Sequence, residues 1–419
     1  MRLPTEACGL ENGLLRCASE FRRSRIARLA VLSIFIGLLL FPFLIIEAQQ
    51  GANSFKELSE SARKATEENR LDDAARLYKK ALSLRPGWAE GWWSLATLEY
   101  DQDRYAEAAA HFQKVVALQP KNGTAQVMLG LCEFELGRDA HALRHIQQGK
   151  SLGLQKNPEL WHVTLFHEGI LLQRKGSFQA AQDTLEELCL QTGSNDKAAF
   201  ILGMTMLRQT ARDAPSPGST DGDVVLRVGR AECLAGQKKY DQARPEFESV
   251  VRENPNYPNI HYAFGLFLFE IRDVAAGVEE LKQEIANDPK NVLVRLRIAA
   301  ALYKQNSAAG LPYAEEAVKL EPQQPFAHLL LGLLRLDVDD YLKAIPELET
   351  ARKSLPQEPK IYAALGTAYS RAGRKDEAAQ ARLTFARLAE ERAKKTANGS
   401  PQPRSSGSEP IPIGDPPKP

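Results

Sequence analysis

The 34 residues AEGWWSLATLEYDQDRYAEAAAHFQKVVALQPKN, numbers 89–122, decide the fold. A bulky residue and a small residue come early in the stretch, then alanine and aromatic residues follow, and a proline stands near its end. The positions that carry this pattern are Trp92, Leu95, Ala96, Tyr105, Ala108, Phe112 and Pro120. Because proline cannot continue a helical hydrogen-bond ladder, the stretch predicts two helices, the second of which ends before Pro120.

Prolines repeat this unit along the chain. They stand at Pro86, Pro120, Pro255, Pro289, Pro322 and Pro356, so that the intervals are 34, 135, 34, 33 and 34 residues. The long interval is one residue short of four units of 34. A period of this length is typical of proteins built from stacked helix pairs.

Other units repeat the residue types as well as the spacing. The unit at 325–358 carries Leu331, Gly332, Tyr341, Ala344, Leu348, Ala351 and Pro356, and the unit from 359 carries Tyr362, Leu365, Gly366, Tyr369, Gly373 and Ala378. Weaker copies begin near 55, 123, 162, 224, 258 and 292. Over most of residues 53–392 the chain resembles the tetratricopeptide repeat family. The resemblance implies an all-α, right-handed superhelical solenoid of about nine antiparallel helix pairs.

The repeat loses its register between residues 194 and 223. Residues 196–209 predict a helix with Gly203 at the close crossing, but the Pro-, Gly- and Ser-rich sequence at 210–223 follows it in place of a second helix. We therefore predict an N-terminal array at 49–209, a linker or irregular loop at 210–223, a C-terminal array at 224–395, and a disordered Pro/Ser-rich tail at 396–419.

The first 48 residues predict an export signal or a membrane anchor. Residues 29–46 are eighteen uncharged, mostly apolar positions, with Arg22, Arg23, Arg25 and Arg28 before them. This pattern favours a signal that is cleaved after Ala48. A retained anchor and a cytosolic protein are the alternatives, since the apolar run has nearly the length of a membrane span. Pro42 would kink such a span.

Charge and cysteine content exclude some functions. Lys and Arg number 54 against 53 Asp and Glu, whereas a nucleic-acid binder normally has a basic excess. After cleavage at Ala48 three widely spaced cysteines remain, Cys132, Cys189 and Cys233, which predict neither a disulfide framework nor a zinc site. We expect buried structural thiols at Cys132 and Cys233.

The resemblance implies which residues face the groove of the solenoid. Positions two, five, nine, twelve and thirteen of each unit line its inner wall, so that Trp92, at position four, packs between helices and Trp93, at position five, faces the groove. The aromatic residues placed on this wall are Trp93, Tyr100, Phe134, Phe166, Tyr262, Phe269 and Tyr303. They could dock the apolar side chains of a peptide, or they could simply fill the interior of a tight superhelix. Ser59 and Arg63 stand where family members that clamp a peptide carboxylate carry lysine and asparagine.

No catalytic or cofactor motif emerges from the sequence. His141 and His145 have i, i+4 spacing, but no further ligand completes a metal set. His167 and Glu168 are not part of an H-E-x-x-H zinc motif, because Leu171 takes the place of the second histidine. We therefore predict no cofactor, no metal and no enzyme.

Three functions remain open. The first is a non-catalytic scaffold outside the cytoplasm that binds a protein or peptide partner of unknown identity in its concave groove. The second is a membrane-tethered architectural subunit anchored by residues 29–46. The third is an accessory to an enzyme complex, with activity in the irregular region 140–223.

Overall fold

A computed structural model describes residues 53–154, 157–193, 195–210 and 214–397, and these ranges contain helices and no strands. The predicted export signal at 1–48 and the predicted tail from 398 onward lie outside the described residues. The helices are α1 (53–67), α2 (Leu71–Leu84), α3 (Ala89–Tyr100), α4 (Tyr105–Leu118), α5 (Gly123–Glu135), α6 (Asp139–Leu152), α7 (Pro158–Lys175), α8 (Phe178–Thr192), α9 (Asp196–Met206), α10 (Thr220–Gly236), α11 (Tyr240–Glu253), α12 (Ile260–Glu270), α13 (Val274–Asn287), α14 (Val292–Leu302), α15 (Ser307–Leu320), α16 (Pro325–Asp337), α17 (Tyr341–Ser354), α18 (Pro359–Arg371) and α19 (Lys375–Ala397).

The helices form two compact units, divided after Gly137. In the first unit α2 packs against α3, α3 against α4, and α4 against α5, and in the second unit each helix from α6 to α18 packs against the next. Since short turns join most of them, consecutive helices run antiparallel. The predicted all-α class of packed helix pairs is confirmed, and the handedness of the superhelix stays a prediction.

Small residues let the paired helices cross closely, as the repeat predicts. A Cβ atom added to Gly332 on α16 would lie 2.6 Å from Cγ of Leu348 on α17. Around such crossings the bulky residues of the pattern are fully buried, among them Phe112, Phe247 and Leu348. Burial of a large apolar side chain contributes about 1.5–3 kcal/mol, so the residues of the repeat also hold the pairs together.

The turn after each first helix repeats in backbone conformation. One residue there takes positive φ, at Asn69, Asp103, Gly137, Gly176, Arg208, Lys238, Arg272, Lys304, Asp339 and Gly373. Most turns also carry the hydrogen bond of a Schellman ending, such as Arg104 N to Glu99 O at 2.9 Å. Only three of the ten residues are glycine, so the positions of glycine in the sequence do not reveal this turn.

Helix α9 has the ending of a first helix without a second helix after it. Gln209 N donates to Met204 O at 2.9 Å, which is the same Schellman bond. The next helix, α10, begins at Thr220 with Ser219 as its N-cap, inside the range predicted as a loop. It packs directly along α9. The boundaries of the predicted arrays stay predictions.

Candidate interaction surfaces

A residue in the first turn of several first helices closes the proline turn before it. Each of these side chains donates a hydrogen bond to the carbonyl of the proline six residues earlier. The pairs are Trp92 with Pro86 at 2.8 Å, His261 with Pro255 at 2.9 Å, Arg295 with Pro289 at 2.7 Å, His328 with Pro322 at 2.9 Å, and Tyr362 with Pro356 at 2.9 Å. Four different side-chain chemistries make one contact, which explains why the position showed no consensus in the sequence. We name these contacts the proline clamps.

His261 shows how a clamp is charged. Its Nε2 faces Pro255 O while its Nδ1 lies 2.6 Å from Oε2 of Glu280. Burial lowers the pKa of His261, but the bonds to Glu280 and to the Pro255 carbonyl outweigh it and leave the pKa raised. Two acceptors favour the imidazolium, because only that form donates from both nitrogens.

The two adjacent tryptophans contact different neighbours, and both are half-buried. Trp92 stacks on His111 with ring centroids 5.2 Å apart. Trp93 packs edge-on against Phe112 at 5.3 Å and joins the apolar cluster that contains Ala96, Phe112 and Leu129. The difference between the two rings is therefore one of partners rather than of exposure, and a groove role for Trp93 stays a prediction.

The remaining aromatic residues of the predicted wall divide into two groups. Tyr100, Phe134, Phe166 and Tyr303 are half-buried. Tyr262 and Phe269 are only 2% and 8% exposed and pack among Leu281, Val294 and Ile298. Those two rings have little surface to offer a partner, which matches the alternative that some of the aromatic residues fill the interior.

An open cleft lies on three consecutive first helices of the second unit. Its volume is about 390 Å³, and its lining comes from α16, α18 and the turn that follows α14. The lining residues are Tyr303, Lys304, Leu333, Leu336, Asp337, Lys360, Ala363, Ala364, Thr367 and Arg371. Apolar side chains thus meet three cations and one carboxylate there. Of the aromatic residues predicted for the wall, Tyr303 is the one found in this lining.

Acidic side chains are buried on several first helices, and two of them have a basic or histidine partner. Glu99 is fully buried and lies 2.5 Å from Nδ1 of His111. Burial raises its pKa, but His111 and Lys79 outweigh that effect and leave the pKa lowered. Glu168 accepts from Lys150 Nζ at 2.5 Å, and Nδ1 of the adjacent His167 bonds to Val163 O at 2.7 Å.

Glu232 on α10 differs from these two acids, because its neighbour is another carboxyl group. Gln182 Nε2 donates to Oε1 of Glu232 and to Oε1 of Glu186, each at 2.7 Å. Burial raises the pKa of Glu232 well above its usual value, and the charge of Glu186 raises it further. Burial also raises the pKa of Glu186. Burial and the neighbouring carboxyl group therefore both favour the protonated form of Glu232.

The expectation of a buried thiol is wrong for Cys233, which forms a disulfide. Cys189 on α8 and Cys233 on α10 are bonded, with Cα atoms 5.4 Å apart and 44 positions between the two residue numbers. Spacing could not reveal the pair, because the helices meet only where α9 lacks a second helix. Cys132 is free and buried, and burial raises the pKa of its thiol to about 12. Such a thiol is unreactive at neutral pH.

Within the described residues no group of three or more His, Cys, Asp or Glu side chains could hold a metal ion. None of the helices there is long and apolar enough to cross a membrane. Residues 29–46 lie outside the described ranges.

Comparison with known families bears on the class of protein. A family described as "Tetratricopeptide repeat" matches residues 60–123, 94–149 and 228–292. One described as "Bacterial transcriptional activator domain" matches residues 266–395. Between them these matches cover helices in both units.

Similar proteins share only part of their length with this chain. Superkiller protein 3 of Schizosaccharomyces pombe is 26% identical over 136 residues, 30% of this chain and 10% of that protein. Protein IFIT1 homolog B of Homo sapiens is 22% identical over 156 residues, 35% of this chain and 33% of that protein. The matches therefore span a tenth and a third of these relatives.

Solved structures give weaker likenesses. MamA is 21% identical, covers 39% of this chain and 96% of its own, and has a TM-score of 0.37. Yeast Tom70 is 13% identical, covers 82% of this chain and 85% of its own, and has a TM-score of 0.33.

Packed helix pairs with a 34-residue period define a helical repeat protein. The family match identifies the repeats at residues 60–123, 94–149 and 228–292 as tetratricopeptide repeats. Repeats of this kind form scaffolds for protein interaction.

Proposed function

We propose that this protein is a non-catalytic scaffold outside the cytoplasm, and that it binds a segment of a partner protein on the face formed by its first helices. The observation that carries the proposal is the half-exposed aromatic pair Trp93 and Tyr100 on α3. Their spacing of seven residues puts both rings on one face of the helix. Aromatic side chains that are partly buried and rigidly supported are the typical anchors of protein interfaces.

Rigid support is visible around both rings. Trp93 rests against Phe112, and Tyr100 packs edge-on against Tyr105 with centroids 5.4 Å apart. A partner would therefore meet rings that are already ordered, so that little side-chain entropy is lost on binding.

A location outside the cytoplasm has two supports. One is the apolar run at 29–46 with its basic flank, and the other is the disulfide Cys189–Cys233. Disulfides persist in oxidising compartments and are rare in the cytosol. A retained anchor at 29–46 would make the protein a membrane-tethered subunit with the same binding face.

A hidden activity in region 140–223 has less support. Its described residues are built into α6 to α9 and the first turn of α10. The buried acids there, such as Glu168, face Lys150 and Gln147 rather than an open site.

The neighbouring tryptophans supply the experiment and its matched control. Trp93→Ala should weaken binding of the partner by about 2 kcal/mol or more if the ring is an anchor. Trp92→Ala removes the same type of side chain from the same helix, but the Trp92 ring already bonds to Pro86 O and stacks on His111. We expect it to lower the unfolding midpoint and to leave affinity unchanged. Full-length protein carrying either change would be compared by quantitative capture from an extract of the native source. Equal capture by the two variants would contradict the proposal.

A further inference from the structure

We propose that the partner segment bound on α3 carries an arginine, and that the guanidinium of this arginine binds against the Tyr100 ring. Three carboxylates accompany this ring where α3 and α5 end. We call them the acidic rim, and they belong to Asp101, Asp103 and Glu135. The proposal rests on the proposed function and adds the chemistry of the partner to it.

Two tyrosine rings form the aromatic part of this site. Tyr100 ends α3 and Tyr105 begins α4, and their rings pack edge-on with centroids 5.4 Å apart. Tyr100 also packs against the apolar cluster that contains Leu129 and Cys132 of α5. Both rings are half-buried, so that their neighbours hold them in place while part of each stays open to a ligand.

The acidic rim is close to both rings. Tyr105 Oη donates to Asp103 Oδ1 at 2.5 Å, and this bond raises the pKa of Tyr105 to about 12. Burial raises the pKa of Tyr100, and the negative charges of all three rim carboxylates raise it further. The three carboxylates are themselves exposed. A ligand that reaches the Tyr100 ring therefore enters a region of negative potential.

No ion pair within the described residues neutralises the acidic rim. Helices α3 and α5 contain neither lysine nor arginine, and none of the three rim carboxylates has a basic partner there. Arg104 stands in the turn between the tyrosines, but it lines a cleft along α2 together with Lys79 and Lys80. Helix C-termini carry a partial negative charge, so the ends of α3 and α5 add to the potential of the rim. The site is therefore complementary to a cation.

An aromatic ring beside carboxylates favours arginine over lysine. A guanidinium stacks on a ring and forms forked bonds with carboxylates, whereas an ammonium is a compact point charge. Trp93 and Tyr100 belong to one apolar cluster and are seven residues apart, about 10 Å along the helix. Three residues of extended chain span that distance. We therefore expect an apolar residue on Trp93 and an arginine three positions away from it on Tyr100.

Fluorine NMR of the full-length protein, labelled with 3-fluorotyrosine, tests the proposal with a defined probe. The probe is the capped peptide acetyl-GLGGRG-amide, and its control carries citrulline in place of arginine, which keeps the shape and removes the charge. The signals are assigned from Tyr100→Phe and Tyr105→Phe. We expect the arginine peptide to shift both signals saturably, with an affinity at least about five-fold above that of the citrulline peptide, as for exposed ion pairs.

A matched pair of double variants tests the role of the rim. Asp101→Asn with Glu135→Gln should remove the preference for arginine and leave the unfolding midpoint unchanged, since both side chains are exposed. Glu57→Gln with Glu60→Gln removes the same charge from exposed positions on α1 and should keep the preference. Equal response to the two peptides, including no response to either, would overturn the proposal. Equal loss in the two double variants would overturn it as well.

Capture from an extract of the native source separates this proposal from the proposed function. The rim variant and Trp93→Ala should both lower capture of the partner. If Trp93→Ala lowers capture and the rim variant does not, the proposed function stands and the arginine proposal fails. If neither change lowers capture, the proposed function itself fails.

Discussion

Two regions of the second unit hold their helices in different ways. From α12 to α19 each pair follows the 34-residue period, and proline clamps at His261, Arg295, His328 and Tyr362 close its turns. From α8 to α10 the period fails. In that region three other features hold the helices together. They are the close helix crossing at Gly203 and Gly229, the disulfide Cys189–Cys233, and the neighbouring carboxyl groups of Glu186 and Glu232.

The crossing of α9 and α10 shows what the missing second helix changes. A Cβ on Gly203 would lie 1.9 Å from Val225 O, and one on Gly229 would lie 1.7 Å from Ala199 O. Backbone meets backbone here, whereas at Gly332 the nearest atoms belong to the Leu348 side chain. Two first helices packed directly together come closer than a regular pair, and only glycine permits that approach.

The largest effect is expected from the disulfide. Cys189→Ser with Cys233→Ser should destabilise the second unit by about 4 kcal/mol, since the bond closes a loop of 44 residues. The measurement is the chemical unfolding midpoint of the oxidised wild type against the double variant. Cys132→Ser is the control, because that thiol is free. If reduction of the wild type leaves its midpoint unchanged, the bond does not stabilise this region.

The two kinds of crossing should differ under the same substitution. Gly229→Ala should cost about 3 kcal/mol, at the upper end of the range for overpacking. Gly332→Ala should cost less, because the end of the Leu348 side chain can move. Gly332→Leu should in turn be much worse than Lys353→Leu at an exposed position. Thermal midpoints of the four variants decide this, and equal values for Gly229→Ala and Gly332→Ala would show that the crossings are alike.

The carboxyl pair should make the irregular region sensitive to alkali. The pKa of Glu232 is raised in the folded state, so its contribution to stability is full below the unfolded pKa and is lost as pH rises through the folded pKa. Glu232→Gln cannot ionise and should be more stable than the wild type above about pH 7. It should show little gain at about pH 4, near the carboxyl pKa of an unfolded chain. Midpoints measured across pH test this, with Glu168→Gln as control, since loss of the Lys150 bond should destabilise. A gain that does not depend on pH would contradict a raised pKa at Glu232.

A smaller pH effect of the same sign is expected from a proline clamp. The pKa of His261 is raised, so its stabilisation is full below about pH 6.5, the unfolded value, and is lost as pH rises through the folded pKa. The charged neighbours that face it are Glu280 and Glu284. His261→Gln should therefore differ from the wild type more at about pH 6 than at pH 8.5. Tyr362→Phe removes a clamp that contains no histidine, and its difference should stay constant. A His261 difference that grows with pH would mean that the neutral ring makes the clamp.

Much of the fold could be predicted from the chain. Pro86, Pro255 and Pro322 set the period, and Gly332 marked a close crossing because only a small residue fits there. The clamps could not be predicted, since tryptophan, histidine, arginine and tyrosine make the same bond from one position. The contact between α8 and α10 could not be predicted either, because it forms only where no second helix follows α9.

The candidate site was less predictable than the fold. The repeat frame placed Trp93 and Tyr262 on the same wall, yet Trp93 is half-buried and Tyr262 is buried. The frame fixes the direction of a side chain from its own helix, but exposure depends on how close the next helix lies. The cleft on α18 was missed because Lys360 and Arg371 are eleven residues apart and belong to no motif.

Peptide mapping of the unreduced protein tests the account most directly. The Cys189–Cys233 bond supports both the distinct packing of α8 to α10 and the proposed location in an oxidising compartment. Full-length protein from its native source would be alkylated under denaturing conditions and digested without reduction. We predict that peptides containing Cys189 and Cys233 are linked to each other, and that Cys132 is alkylated. Alkylation of Cys189 and Cys233 as free thiols would contradict the account.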